Sequence, residues 1–129
     1  MADFLEGPAL ARAIRALLDT GVGVRCAVAF WSPALAERIR HTGARVVLDI
    51  SMGCTTKNAL RSLGVPEIEG ESKTVKVLED FHAKIYIADG VAIVASANAS
   101  VNALGSGRSR PRLKEAGVRL DALDDVAAY

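Results

Sequence analysis

His82, Lys84, Ser96 and Asn98 have the residue types and spacing of a site that handles a phosphoryl group. A strand presents successive residues to opposite faces. A strand over 82–88 therefore puts His82, Lys84 and Tyr86 on one face and Ala83, Ile85 and Ile87 on the other. An imidazole and an ammonium about 6.5 Å apart along one face suit such chemistry. The ring attacks phosphorus or protonates a leaving oxygen, and the lysine balances charge on the non-bridging oxygens. Ser96 and Asn98 share parity on the next apolar run, which brings a hydroxyl and an amide toward the same place. Plainer roles exist for each of them. His82 fits a histidine satisfying a carbonyl at a strand start, and Ser96 and Asn98 fit the caps of a following helix. Lys84 is harder to explain away: in an apolar strand it must snorkel, pair with an acid or face a cavity.

The elements that position these residues are legible in the pattern. Residues 8–19 read as a helix, with Pro8 in its first turn and Leu10, Ile14, Leu17 and Leu18 at helical spacing. Residues 24–30 read as a strand. Ser32-Pro33 opens a helix to about His41, and Ala44 to Ile50 is the next strand. Thr55 or Thr56 caps a short helix ending near Leu63-Gly64. This βαβα alternation implies an α/β fold, a mixed parallel and antiparallel sheet with helices packed on it. Pro66 to Ser72 is an acidic connector. Short strands follow at 73–78, 82–88 and 91–95, and Asp89-Gly90 has the composition of a two-residue hairpin turn. A helix start is expected within Asn98–Leu104, a loop over 105–111, a strand over 117–120 and a helical turn from Asp124.

The 129 residues suit a single domain over 1–129. Sixteen basic and fifteen acidic residues nearly cancel, so global charge gives no argument for nucleic acid. Local charge says more: Arg108, Arg110, Arg112 and Lys114 lie close together with no acid among them, as a solvated face or a phosphate-backbone contact. Cys26 and Cys54 lack the spacing of a redox motif or a disulfide scaffold and read as reduced, buried thiols. Nothing in the spacing of His41, His82 and the cysteines asks for zinc, and no cofactor or metal is expected. The N-terminus has neither the basic nor the apolar region of a signal peptide, and no run spans a bilayer. A cytoplasmic protein without membrane insertion is the expectation.

His82-x-Lys84-x4-Asp89, followed by Ala95, Ser96, x and Asn98, resembles the HxKx4D…GSxN signature of the phospholipase D superfamily. The run Ser96 to Ser100 with Asn102 to Gly105 also looks like the prokaryotic phospholipase-D-like domains. The likeness is specific over 81–105 and extends loosely upstream through Val28 to Trp31 and Val46 to Ile50. It implies that His82 attacks phosphorus to form a covalent phosphohistidine. A second motif histidine would protonate the leaving oxygen and then activate water. It implies too that Lys84 and Asn98 hold the non-bridging oxygens, with Ser96 nearby and no metal required. Asp89, of opposite parity to His82 and Lys84, is expected to hydrogen-bond the turn backbone, outside the catalytic centre. Members often carry a later glutamate that orients the histidine, and Glu115, before Gly117 to Leu120, is the match by position.

One motif is half of such a site. The symmetric solution is a homodimer that brings two copies of His82 to one phosphate. Two features depart from the signature: Ala95 stands where glycine is usual, and the spacer from Asp89 to Ala95 is one residue short, which puts the register of the second strand in question. The leading reading is a metal-independent phosphodiesterase, nuclease-like and acting on DNA. Competing with it are a non-catalytic dimerisation module that binds phosphate or nucleic acid, motivated by Ala95, and a phospholipid phosphodiesterase, which would want an apolar rim, with Phe30 and Trp31 readable as either core or rim. A serine or cysteine hydrolase built on Ser96 or Cys54 lacks both a G-x-S-x-G elbow and a paired base with its orienter.

Overall fold

A computed structural model describes residues 2–40, 42–65, 74–106 and 110–121. His41, the connector 66–72, Arg108 and the helix expected from Asp124 lie outside the described residues. The described elements run β1 (Ala2–Glu6), α1 (Gly7–Thr20), β2 (Arg25–Val28), α2 (Pro33–Ile39), β3 (Arg45–Leu48), α3 (Lys57–Ser62), β4 (Val75–Val77), β5 (Lys84–Ala88), β6 (Val91–Ala95), α4 (Val101–Leu104) and β7 (Ala116–Leu120). The strands form one sheet in the order β1-β7-β6-β5-β2-β3-β4. β2, β3 and β4 are parallel, joined through helices, and β5, β6, β7 and β1 pair antiparallel. The fold is thus the α/β architecture with a mixed sheet and packed helices that the sequence implies.

Strand parity decides which face is covered. Cys26 and Val28, Val46 and Leu48, Tyr86 and Ala88, and Ile93 join one core with Leu10, Ile14 and Leu18 of α1, Leu35 and Ile39 of α2, Ala59 of α3 and Leu104 of α4. All four described helices contribute to this cluster. The opposite parity, Ile85 and Ile87 with Ala92 and Leu120, forms a smaller cluster on the other face. A groove there is lined by Ala27, Val47 and Val94, with Arg25, Arg45 and Lys76 among its residues.

Three local features differ from expectation. Ala2–Glu6 is a strand, paired with β7 from Ala2↔Leu120 to Glu6↔Ala116. Its residues are mostly exposed, so no alternating pattern marks it, and the partner that holds it comes from the far end of the sequence. β5 starts at Lys84 rather than at residue 82, which leaves His82 on the approach to the strand. Cys54 is exposed, on the loop after β3, whereas Cys26 is buried and burial pushes its thiol up to about 12.

The caps are also resolved. Thr56 is the N-cap of α3 and accepts from the Ala59 N–H at 3.2 Å. Thr55 is buried; its hydroxyl donates to Ala29 O and accepts from the Trp31 N–H, bracing two loops. Ser100 caps α4 through the Ala103 N–H, so neither Ser96 nor Asn98 serves as a cap. Ser32 occupies the N-cap position of α2 without a side-chain capping bond; its hydroxyl reaches Ala99 O instead. Trp31 belongs to the core, its indole N–H donating to Val28 O at 3.1 Å.

Candidate active site

The ends of β2, β3 and β6 and the start of β5 converge, and a chain of backbone bonds stitches their loops together. Ala29 N–H donates to Ala83 O, Asp49 N–H to Ala29 O, Ala99 N–H to Phe30 O and Ser32 N–H to Ala99 O. Trp31 and Ala99 form a parallel bridge in the same place. His82, Ser96 and Asn98 all lie on this stitched end, and Lys84 begins the strand beneath it.

His82 is exposed, its ring meeting the edge of Phe30 with centroids 5.6 Å apart. The Lys84 ammonium lies 3.2 Å from His82 Nδ1 and 3.3 Å from Nε2, and it donates to His82 O at 3.1 Å. Lysine and histidine therefore form one unit, close enough to share a single anion. On the same face Tyr86 is buried, and its phenol donates to Ala97 O at 2.9 Å. That bond fixes the segment between Ser96 and Asn98 against β5. Asn98 Oδ1 is buried and has no hydrogen-bond partner among the described residues. A buried amide oxygen in that condition costs free energy that an incoming hydrogen-bond donor can recover.

A second pair forms beside the first. The Ser96 hydroxyl donates to the Glu115 carboxylate in a short hydrogen bond and accepts from the Ala116 N–H at 3.1 Å. Ser96 N–H donates to Ala116 O, which continues the β6–β7 ladder past Ala95. Glu115 is thereby held at this end of the sheet, and its charge is among the causes that keep the Tyr86 phenol well above its ordinary range, after burial and Cys26. Among the described residues no hydrogen bond joins Glu115 to His82: its partner is Ser96. The structure brings His82 to Lys84 and Ser96 to Glu115, and no hydrogen bond links the two pairs.

Asp89 stands apart, as its parity requires. Asp89 and Gly90 both have positive φ (53° and 74°), the backbone of a type I′ turn. Asp89 Oδ1 accepts from the Val22 N–H and the Asp89 N–H donates to Val22 O, so it anchors the hairpin to the loop before β2 rather than bonding within the turn. The β5–β6 pairing runs unbroken from Ile85↔Val94 to Ala88↔Val91. The two-residue turn absorbs the short spacer.

Ala95 is explained by its neighbour across the ladder. It pairs with Gly117, and a Cβ on Gly117 would lie 2.8 Å from the Ala95 Cβ and 2.7 Å from Val94 O. The methyl that the signature's glycine lacks occupies space which Gly117 leaves free.

Asp49 is a residue the sequence pattern conceals. It closes an apolar strand and is fully buried. Its carboxylate accepts from the Ser51 N–H, the Ser51 hydroxyl and the Phe81 N–H, the last at 2.9 Å. The Ser51 hydroxyl bond is the main reason its pKa lies below the ordinary carboxylate value; bonds from the backbone of Ser51, Phe81 and Met52 act the same way, against burial. Phe81 precedes His82, so this carboxylate fixes the chain on which the histidine is mounted. An acid ending a run such as Val46-Val47-Leu48 was the available signal. Because its folded pKa is depressed, Asp49 contributes stability that is present above the unfolded carboxyl value of about 3.9 and is lost as pH falls through the folded one. Asp49→Asn places an amide N–H against one of these donors. Its urea midpoint should fall at pH 7, and the gap from the parent should narrow as pH drops below about 4.

Among the described residues no three His, Cys, Asp or Glu side chains gather as metal ligands would, and no described helix is long and apolar enough to cross a membrane. No family model matches the chain, and no curated protein sequence matches it. Solved structures do. NucT from Helicobacter pylori superposes with a TM-score of 0.65 at 17% identity, over 99% of this chain and 89% of that one. TrmBL2, an archaeal chromatin protein described with a novel mode of DNA binding, gives 0.53 at 18% identity, over 98% of this chain and 48% of its own. Yeast tyrosyl-DNA phosphodiesterase gives 0.50 at 12% identity, over 92% of this chain, which spans only 31% of the yeast protein. The fold is an α/β one with a mixed sheet and packed helices. That fold is shared with NucT and with yeast tyrosyl-DNA phosphodiesterase.

Proposed function

We propose that residues 1–129 form one half-site domain of a metal-independent phosphodiesterase, nuclease-like and acting on DNA, whose active site is shared across a homodimer. The observation that carries this reading is the Lys84 ammonium seated on the His82 ring, at the sheet end that also holds Ser96 and Asn98. A nucleophile with a positive charge beside it is what a phosphodiester requires. The likeness in fold to NucT and tyrosyl-DNA phosphodiesterase supports the same class.

In the proposed reaction one His82 attacks phosphorus, forming a P–N bond as the P–O bond to the leaving group breaks. The partner copy's histidine gives its proton to the departing oxygen. A water then attacks the phosphohistidine, yields a proton to the same partner histidine, and the P–N bond breaks to release the phosphate product. Lys84 offsets charge on the non-bridging oxygens through both steps, and the Asn98 side-chain N–H donates to one of them. Ser96 and Glu115 form the flank nearest β7. Ala95 gives no reason to read the site as lost, because Gly117 supplies the missing space.

The test is turnover of bis(p-nitrophenyl) phosphate and of plasmid DNA in excess EDTA, with intact-mass analysis of acid-sensitive adducts after rapid quenching. Chelator-resistant turnover with a transient phosphoryl adduct on His82 is expected. Turnover that EDTA abolishes would overturn the mechanism.

A further inference from the structure

The start of α1 and the segment before β7 enclose a cleft of about 690 Å³. Its walls carry Arg12 and Arg15 from α1 and Arg110, Arg112 and Lys114 from the other side, and among the described residues no acidic one lines it. Among the described residues none of these five side chains enters an ion pair. Arg12, Arg110, Arg112 and Lys114 are exposed. Five unneutralised cations facing one another repel, so an arrangement of this kind favours a polyanion between its walls.

The walls are fixed. The Arg112 and Leu113 N–H groups both donate to Asn102 O, which ties the basic segment to α4. The Gly7 N–H donates to Glu115 O, which ties the start of α1 to the residue after Lys114. Glu115 in turn holds Ser96. The cleft therefore begins where the candidate active site ends.

We propose that this cleft is the track on which the phosphate backbone of the nucleic acid lies beyond the scissile phosphate. The proposal rests on the phosphodiesterase reading and assigns where a polymeric substrate is held. Among the described residues its apolar side chains are Pro8, Pro111 and Leu113, with no aromatic one for a base to stack on. Contacts would then be to phosphate and indifferent to sequence. A few isolated apolar side chains also offer little to a lipid surface, which rewards a contiguous apolar face.

The experiment measures binding alone, with the His82→Ala protein, by fluorescence anisotropy of labelled single-stranded and duplex oligonucleotides across salt concentrations. Each lost phosphate contact reduces the slope of log K against log salt by about 0.9 on duplex and about 0.7 on single strands. Arg12→Gln, Arg110→Gln and Arg112→Gln together should flatten the slope by about 2–3 and weaken binding at low salt by at least about tenfold. Arg25→Gln, Arg45→Gln and Lys76→Gln remove the same charge from the opposite sheet face and should leave the slope unchanged. Equal losses in both triples, an unchanged slope in the cleft triple, or a cleft triple that loses anionic vesicles but keeps oligonucleotides would overturn the proposal. Turnover of bis(p-nitrophenyl) phosphate by the parent protein reports on the catalytic reading separately: its absence would sink the phosphodiesterase while the salt slopes still judged the cleft.

Discussion

Replacing His82 by alanine should lower turnover of bis(p-nitrophenyl) phosphate at least about 10⁴-fold, because the side chain that forms the covalent bond is removed. The fold should survive, since the ring is exposed and its described contacts are the edge of Phe30 and the Lys84 ammonium. An unchanged urea midpoint alongside the lost activity would separate chemistry from stability. The proposed homodimer makes the same variant more informative in mixtures. If every site needs two His82 rings, one from each copy, a mixed dimer is inactive. Equal amounts of parent and variant, exchanged to equilibrium, should then retain about one quarter of the activity, the share of all-parent dimers under random pairing. Independent sites would retain about one half. A value near one half would remove the shared site even if His82 proved essential.

The second large effect is expected in the ladder between β6 and β7. Gly117→Ala drives a methyl against Val94 O and the Ala95 Cβ. Neither atom can rotate away, because one is backbone and the other is attached directly to it. Overpacking of this kind costs about 1–3 kcal/mol. For a chain of this length that is a fall in Tm of roughly 4–11 °C. Ala95→Gly in the same protein removes one of the two collisions and leaves the other, so it should restore part of the loss and not all of it. The pair should be strongly non-additive in a double-mutant cycle. Additivity would mean that Ala95 and Gly117 do not share the space assigned to them. Activity should fall with stability here, because the displaced strand ends carry Ser96 and Glu115.

What the sequence reveals follows from how local each contact is. The hairpin with its Asp89-Gly90 turn, the amphipathic α1 and the parallel strands around Val28 and Val46 rest on short-range patterns, and they occur as read. Lys84 and His82 meet because they are two residues apart. β1 was illegible: its strand state is imposed by β7, more than a hundred residues away. Asp49 shows only as an acid closing an apolar run, and Gly117 not at all, for the same reason. One matters through the Phe81 N–H, the other through Ala95, and neither partner is near in the chain. Glu115 was found only through the resemblance; the partner the structure gives it is Ser96, not the histidine.

The span of the β1–β7 pairing also sets an order of assembly. A hairpin joined by two residues closes in about 1–10 μs, so β5 and β6 can bring Lys84 and Ser96 into register early. Pairing Ala2 with Leu120 closes a loop of nearly the whole described chain, the contact with the greatest entropic penalty in the sheet. The Gly7 N–H bond to Glu115 O lies at the inner end of that pairing. The lysine side of the site should therefore be in place before the glutamate side, and refolding should regain the β5–β6 hairpin before it regains the Ser96–Glu115 contact.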